Sequence, residues 1–195
     1  YRLTGSKSGY YDASISFAAD YAEGQFLLIK RLYLQPNVPE LYLPLVLYFD
    51  NDIPDLRSTR TTTDKTYTQT YSNYIVRKEE FKDSYAETLD EPLAGEARNA
   101  VDGFFEDRVR DGRYRNGVRE GYNRLQLFLN TVLNELATGR EYKMSIRGFA
   151  SPRAATKYNA ALSQRRVESI KNEIRSYAGG ALFPYMDNGK LVIEE

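Results

Sequence analysis

The stretch 147–174 places two polar side chains within an otherwise apolar helical face. At about 100° per residue, Tyr158, Leu162 and the later apolar residues fall on one half of the helix. Asn159 and Arg166 fall near the centre of that same half. An unpaired guanidinium there would cost several kcal/mol, so we expect an anionic group to meet Arg166.

Two kinds of acid are candidates for that anionic group. The first is a protein carboxylate such as Asp50, whose ion pair with Arg166 would tie the helix to the strand that ends at Asp50. The second is an acidic ligand. The loop 151–156 would lie above Arg166, and the helix N-terminus would offer partial positive charge and free backbone N–H groups. The sequence leaves both open.

A cluster of carboxylates follows the apolar run 41–49. Asp50, Asp52 and Asp55 are hard oxygen donors of the kind that calcium prefers. However, no glycine marks the turn, no downstream glutamate has the helix–loop–helix spacing, and Pro54 restricts the backbone. We therefore expect no metal at this cluster.

The residues around Arg166 resemble a known family, the OmpA C-terminal-like domain. This is the peptidoglycan-binding module of Gram-negative outer-membrane proteins and of peptidoglycan-associated lipoprotein. The family pattern is a strand ending in Gly-His-Thr/Ala-Asp, a loop, and a helix reading Asn-x-x-Leu-Ser-x-x-Arg-Ala. The matching residues here are the run 146–151 and, at the family spacing, Asn159, Leu162, Ser163 and Arg166, with Val167 in place of Ala.

The resemblance implies how a ligand would bind. In the family, the helix Arg takes the carboxyl group of the diamino acid in the peptide stem, and the strand-end Asp takes its ammonium group. Ser151 stands at the Asp position here, and it can accept a hydrogen bond from an ammonium group without neutralising it. The implied peptidoglycan-binding residues are Arg166, Asn159, Ser151, Asp50, Asp55 and Arg153. Arg165 is expected to be solvated, as is Arg153 unless it serves the ligand.

The resemblance also implies a role and a location. A non-catalytic, peptidoglycan-binding module of this kind would tether an outer-membrane protein or assembly to the cell wall, in the periplasm of a Gram-negative bacterium. The sequence looks like the Bacteroidota branch of the family. The implied partners are the stem peptide and other outer-membrane or periplasmic proteins, and no cofactor is implied. The alternative is a scaffold subunit of an outer-membrane complex that has lost peptidoglycan binding, which Ser151 favours.

Composition excludes several other classes of function. The 195 residues contain 27 basic and 27 acidic side chains, so no global field favours nucleic acid or an anionic membrane. The absence of Cys, His and Trp excludes disulfides, thiolate nucleophiles, zinc sites with nitrogen or sulfur ligands, and every His-dependent triad. No apolar run reaches the ~20 residues of a membrane-spanning helix. We see no carboxylate pair with the spacing of a glycosidase.

The elements that must position these residues indicate an α/β fold. The resemblance implies an OmpA-C-like βαβ-type sandwich, a small mixed sheet covered by helices. It would span 37–195, with a helical insertion at about 64–111 and without its last strand, which would follow Glu195. The β-rich segment 1–36 resembles the C-terminal part of a carboxypeptidase-regulatory-like β-sandwich, through 7–11 and a strand at 26–34. Its alternative is an added hairpin of the main domain.

Hydrophobic periodicity sets the approximate bounds of the remaining elements. Asp64 is the expected N-cap of the first helix. The predicted helices are 64–88, 96–110, 116–138 and 156–177, and the predicted strands are 41–49, 141–148 and 191–193.

Overall fold

The computed structural model describes residues 2–7, 9–10, 12–16, 32–34, 37–106, 117–152 and 154–195, and within them the chain is a mixed α/β protein. The strands are β1 (Arg2–Gly5), β2 (Ala13–Ser16), β3 (Tyr142–Ser145) and β4 (Leu191–Glu194). The helices are α1 (Tyr67–Ile75), α2 (Lys78–Ala86), α3 (Leu93–Glu106), α4 (Val118–Ala137), α5 (Thr156–Gly180) and α6 (Phe183–Asp187). A short 3-10 helix, Pro39–Tyr42, precedes α1.

Two small sheets organise these elements. β1 and β2 form an antiparallel hairpin, and β3 and β4 pair in parallel with Tyr142 opposite Leu191 and Ser145 opposite Glu194. Parallel strands need a crossover connection, and α5 lies within the one that joins β3 to β4. The β3–α5–β4 unit therefore carries the motif residues.

The hydrophobic core is one buried cluster to which α1, α3, α4 and α5 all contribute. Leu125, Leu129 and Leu136 of α4 pack with Ile170 and Ile174 of α5 in one buried cluster. These positions recur at the three- and four-residue spacing from which both helices are predicted. Of the described helices, none combines the length and the apolar content that crossing a membrane requires.

The predicted first helix is wrong in its length and its cap. The chain forms α1 and α2 in its place, with a turn at Val76 and Arg77 between them. The N-cap is Thr66, whose hydroxyl accepts a hydrogen bond from the Gln69 N–H while the Gln69 side chain accepts one from the Thr66 N–H. This capping box satisfies two otherwise unpaired donors, which Asp64 would not do.

The predicted central strand at 41–49 is also wrong. Residues 39–42 form the 3-10 helix, and 43–49 form neither helix nor strand, with Leu43 extended and Pro44 at a bend. Pro44 has no N–H to donate, and the backbone of Val46 lies close against Gly121 of α4. The segment packs through half-buried side chains instead, with Leu45, Leu47 and Phe49 against the core.

Other predicted elements differ at their ends. α3 begins three residues before its predicted start, and its predicted end at 107–110 lies outside the described residues. Helical backbone angles in α5 stop before Tyr177, where Ala178 and the glycine after it take positive φ. The predicted strand at 26–34 lies outside the described residues in its 26–31 part. The division at residue 36 stays a prediction.

Gly148 fixes the approach of the β3 end to α5. A Cβ atom at this position would overlap the carbonyl oxygen of Ser163 and touch Val167, both in α5. Any other residue must push the loop away from the helix that carries Arg166.

We predict that Gly148→Ala lowers the free energy of unfolding by about 1–3 kcal/mol, because backbone on α5 cannot yield as a flexible side chain would. Urea unfolding monitored by circular dichroism measures this. The control is Gly103→Ala in α3, where a Cβ meets nothing within 4 Å and where alanine is the better helix former, so stability stays equal or rises. Equal losses in both variants would contradict the close approach.

Candidate ligand-binding cleft around Arg165 and Arg166

The cleft begins with the loop that follows the segment 43–49. Asp52, Asp55 and Arg57 all take positive φ near 60°, a conformation that Asp tolerates better than most residues. The Asp52 carboxylate accepts a hydrogen bond from the Arg57 N–H at 2.7 Å, and the Asp50 carboxylate accepts one from the Asn51 N–H at 2.6 Å. The loop 50–60 is therefore shaped by its own carboxylates.

Arg166 reaches this loop from α5 and contacts it through neutral oxygens. Its Nε donates to the Ile53 carbonyl at 3.1 Å, its Nη1 to the Phe149 carbonyl at 2.7 Å, and its Nη2 to the Asp50 carbonyl at 3.1 Å. The guanidinium also lies 5.4 Å from the centre of the Phe49 ring. No carboxylate among the described residues lies within ion-pair distance of Arg166, so the protein carboxylate, the first of the two candidates for the anionic group, is not found there.

Asp50 contacts Arg166, but not through the expected ion pair between its carboxylate and the guanidinium. Arg166 bonds the backbone of Asp50, while the buried Asp50 carboxylate forms an ion pair with Arg77. Arg77 lies in the turn between α1 and α2, so this ion pair exists because the predicted helix is broken there. Arg166 is a tie between helix and loop, but its charge is not neutralised by Asp50.

Arg165 is the most buried large side chain of the cleft, with no exposed surface. Its Nε donates to the Pro54 carbonyl at 3.0 Å, and its Nη1 donates to the carbonyls of Ser58 and Arg60, each at 2.6 Å. Its Nη2 lies 4.0 Å from the Asp52 carboxylate. The prediction of a solvated Arg165 is therefore wrong.

Two of the carboxylates near Arg166 pair with other cations. Burial, and after it the neighbouring Arg165, lowers the pKa of Arg166, against the opposing charges of Asp52 and Asp50. Lys65 forms an ion pair with Asp55 at 3.2 Å, and Arg77 takes Asp50. Two guanidiniums thus face one carboxylate, Asp52, while Arg77 is shared between Asp50 and the exposed Glu80.

The remaining candidate residues lie on the loop after β3 and on the first turn of α5. Asn159 is half-buried in the first turn of α5, and its side-chain amide donates to the Ala154 carbonyl at 2.8 Å, which closes the loop onto the helix. Ser151 is exposed on the same loop. Arg153 lies outside the described residues. The structure therefore brings Ser151 and Asn159 to the loop above Arg166, and it directs the carboxylates of Asp50 and Asp55 to other partners.

A groove of about 1060 Å³ opens beside the cleft. Its lining includes Arg166, the loop 148–151, the segment 43–49 and β3. Its volume is at the top of the range for small-molecule sites, roughly 300–1,000 Å³. A ligand in the groove mouth can therefore reach Arg166.

The carboxylates that follow the segment 43–49 bind groups of the protein itself. Asp50 binds Arg77, Asp55 binds Lys65, and Asp52 accepts hydrogen bonds from Tyr158 and from the Arg57 backbone. Within the described ranges, no group of three or more acidic side chains is placed to hold a metal ion. Tyr158 gains a raised pKa from its hydrogen bond to Asp52.

Sequence reasoning missed Arg165, although a signal was present. Arg165 follows Tyr158 by seven residues, two helical turns, so both lie on one face of α5. The structure places the Arg165 guanidinium 5.7 Å from the Tyr158 ring. Arg77 was missed because nothing in the local pattern marks the break between α1 and α2.

The comparisons with known proteins add no relative. No family model, no curated protein and no solved structure matches the chain at a significant level. The candidate site therefore depends on the motif residues and on the geometry described above.

We predict that Arg165→Met lowers the free energy of unfolding by at least about 2 kcal/mol, because three carbonyl oxygens lose a charged donor and stay buried. Urea unfolding measures it. The control is Arg175→Met on the same helix, where the exposed arginine pairs with Glu168 and a change of less than about 1 kcal/mol is expected. Similar losses in both variants would show that the buried bonds of Arg165 do not hold the loop.

Proposed function

We propose that this chain is a non-catalytic peptidoglycan-binding module, in which Arg166 receives a carboxylate of the stem peptide. The observation that carries the proposal is the state of the Arg166 guanidinium. It is half-buried at the groove mouth, and no carboxylate among the described residues neutralises it. A guanidinium has five N–H donors, and three bond carbonyls here, which leaves two for a ligand oxygen pair.

The strand–loop–helix context that the OmpA-like motif requires supports this proposal. β3 leads into Gly148, the loop follows, and α5 carries Asn159 and Arg166 at the family spacing. The N-terminus of α5 adds partial positive charge beside the loop, which favours an anionic group. The ligand's ammonium would meet the Ser151 hydroxyl. Asp50 contributes its backbone to the cleft, and Asp55 contributes to the shape of the loop.

As a tether, the module would act in the periplasm of a Gram-negative bacterium of the Bacteroidota type. It would join an outer-membrane protein or assembly to the cell wall without breaking a covalent bond. The proposal includes an OmpA-C-like arrangement of the α/β fold, with α1–α3 as the helical insertion.

A scaffold role without peptidoglycan binding is the second candidate, and specific contacts favour it. All three nitrogens of the Arg166 guanidinium already bond carbonyls, and the ion pairs of Asp50 and Asp55 are internal. In a scaffold role, Arg166 holds the loop and binds no ligand. Ser151 in place of a carboxylate fits the same reading.

Co-sedimentation with isolated sacculi separates the two candidates. We predict that the wild-type chain pellets with sacculi and that Arg166→Gln reduces the affinity at least about tenfold, or ~1.4 kcal/mol, through loss of a charge-assisted contact. Arg175→Gln removes the same charge farther along α5 and is expected to bind within about twofold of wild type.

Circular dichroism and urea unfolding of each variant exclude loss of fold as the cause. If the folded wild-type chain does not pellet, or if the two variants lose binding equally, the tether is wrong and the scaffold reading stands.

We further predict that Ser151→Asp tightens binding to a muropeptide containing diaminopimelate by about tenfold, because a carboxylate neutralises the ligand ammonium that a hydroxyl only hydrogen-bonds. Isothermal titration calorimetry measures the dissociation constant. The matched control is Ser151→Asn, which has the same shape without the charge and is expected to leave affinity within about threefold. An unchanged or weaker affinity for Ser151→Asp would contradict the assigned position of the ammonium group.

A further inference from the structure

Two backbone segments line the groove. One wall is the segment 43–49 and the other is β3 with its continuation to Gly148. Both run toward Arg166, since this side chain bonds Asp50 at the end of one wall and Phe149 at the end of the other. The floor is apolar and comes from α4 and α5. It includes Leu125, Phe128, Leu129, Val167, Ile170 and Ile174.

The edge of β3 that faces the groove has free backbone groups. The N–H groups of Tyr142 and Ile146 donate to Lys190 and Glu194 on the opposite side, at 2.8 Å each. Because backbone direction alternates along a strand, the N–H and C=O groups of Lys143, Ser145 and Arg147 point into the groove.

The edge of the segment 43–49 that faces β3 also has backbone groups without a partner among the described residues. The carbonyl of Tyr48 accepts a hydrogen bond from the Tyr67 hydroxyl of α1, and the carbonyl of Val46 lies against Gly121 of α4. These contacts show that the carbonyl groups of Val46 and Tyr48 point toward the helices α4 and α1. By alternation, the backbone groups of Leu45 and Leu47 point toward β3, and no backbone hydrogen bond between described residues joins the two walls.

We propose that this groove receives one extended β-strand from a partner polypeptide, inserted between 43–49 and β3. Backbone donors and acceptors on both walls match a strand, whose own groups point to both sides. Neighbouring strands lie about 4.8 Å apart, so one strand would complete a four-stranded sheet with β4 at its edge. The inference stands independently of the proposed peptidoglycan binding.

The walls also define the chemistry of the strand. Tyr142, Met144 and Ile146 are half-buried and face the helices, so the inserted strand needs apolar side chains at alternate positions toward the floor. On the outer face, Lys143 pairs with Glu194 at 2.7 Å, whereas Arg147 is exposed and has no ion pair among the described residues. A carboxylate on the outer face of the strand, beside Arg147, complements this charge.

The test uses a synthetic peptide and the chain of 195 residues. The probe is N-acetylated Val-Glu-Val-Thr-Val-Glu-Val amide, and calorimetry measures its binding. A peptide of the same sequence with N-methyl groups on its three central residues keeps the side chains but loses backbone donors. We expect saturable binding of the first peptide and at least tenfold weaker binding of the second.

Amide hydrogen exchange followed by NMR locates the strand. The peptide is expected to slow exchange at least tenfold at Leu45, Leu47, Lys143 and Ser145, whose N–H groups face the groove. Exchange at Ile146, already bonded to β4, is expected to change little.

A charge swap tests the predicted carboxylate. Arg147 is exposed, so the substitution Arg147→Glu is not expected to affect folding. It should weaken binding of the glutamate peptide and strengthen binding of the same peptide with lysine in place of glutamate. Equal affinities across this swap would overturn the assigned chemistry.

Four further results would overturn the proposal. The first is no binding of the probe at about 1 mM, and the second is equal binding of the N-methylated peptide, which would show an apolar site without strand pairing. The third is slow exchange of the groove-facing amides without the peptide, either in the chain of 195 residues or in the protein purified from its own cells. Slow exchange there would show that the same polypeptide fills the groove. The fourth is a dimer in sedimentation velocity that the probe dissociates, which would show that a second copy is the occupant.

Discussion

The structure of the cleft depends on two adjacent arginines of α5 that bond backbone carbonyls rather than carboxylates. Arg165 bonds three carbonyls of the loop 50–60, and Arg166 bonds two carbonyls of that loop and one of the loop after β3. Hydrogen bonds from a charged donor are about twice as strong as neutral ones, which offsets much of the cost of burying each guanidinium. The loops are therefore held in place before any ligand arrives.

The neutral carbonyl acceptors also leave the charge of the guanidinium in place. A carbonyl satisfies an N–H group without cancelling the charge, so the same side chain that holds the loop still attracts an anion. The nearby carboxylates that would cancel it are directed elsewhere, Asp50 to Arg77 and Asp55 to Lys65. In Asp55, burial raises the pKa, but hydrogen bonds from Thr63 and Lys65 outweigh it and hold the pKa below its ordinary value. The carboxylate thus stays charged and bound to its partner.

The sequence is informative where local pattern decides the structure. α4, β3, α5 and β4 follow from apolar periodicity, because each buries one face against the same core. The strand at 41–49 fails because pairing is not local: the segment has the composition of a central strand, but whether a neighbour is present cannot be seen in its residues. The helical wheel predicts Arg166 on the apolar face, where the structure has it half-buried, but a wheel cannot show the carbonyls of a distant loop that the guanidinium bonds. The same wheel places Arg165 two turns from Tyr158 on one face of the helix, so the contact between them could have been predicted.

We propose that Arg166 keeps its charge and two of its N–H groups for an incoming carboxylate. The most direct measurement is the ¹⁵N–¹H NMR signal of the Arg166 Nε during titration with a muramyl tripeptide that contains diaminopimelate. We predict a saturable shift of this signal, none for the Nε of Arg175, and none when the tripeptide carboxylates are amidated. An Arg166 signal that stays unchanged up to millimolar tripeptide would contradict the account, because it would show that the guanidinium is closed to ligands.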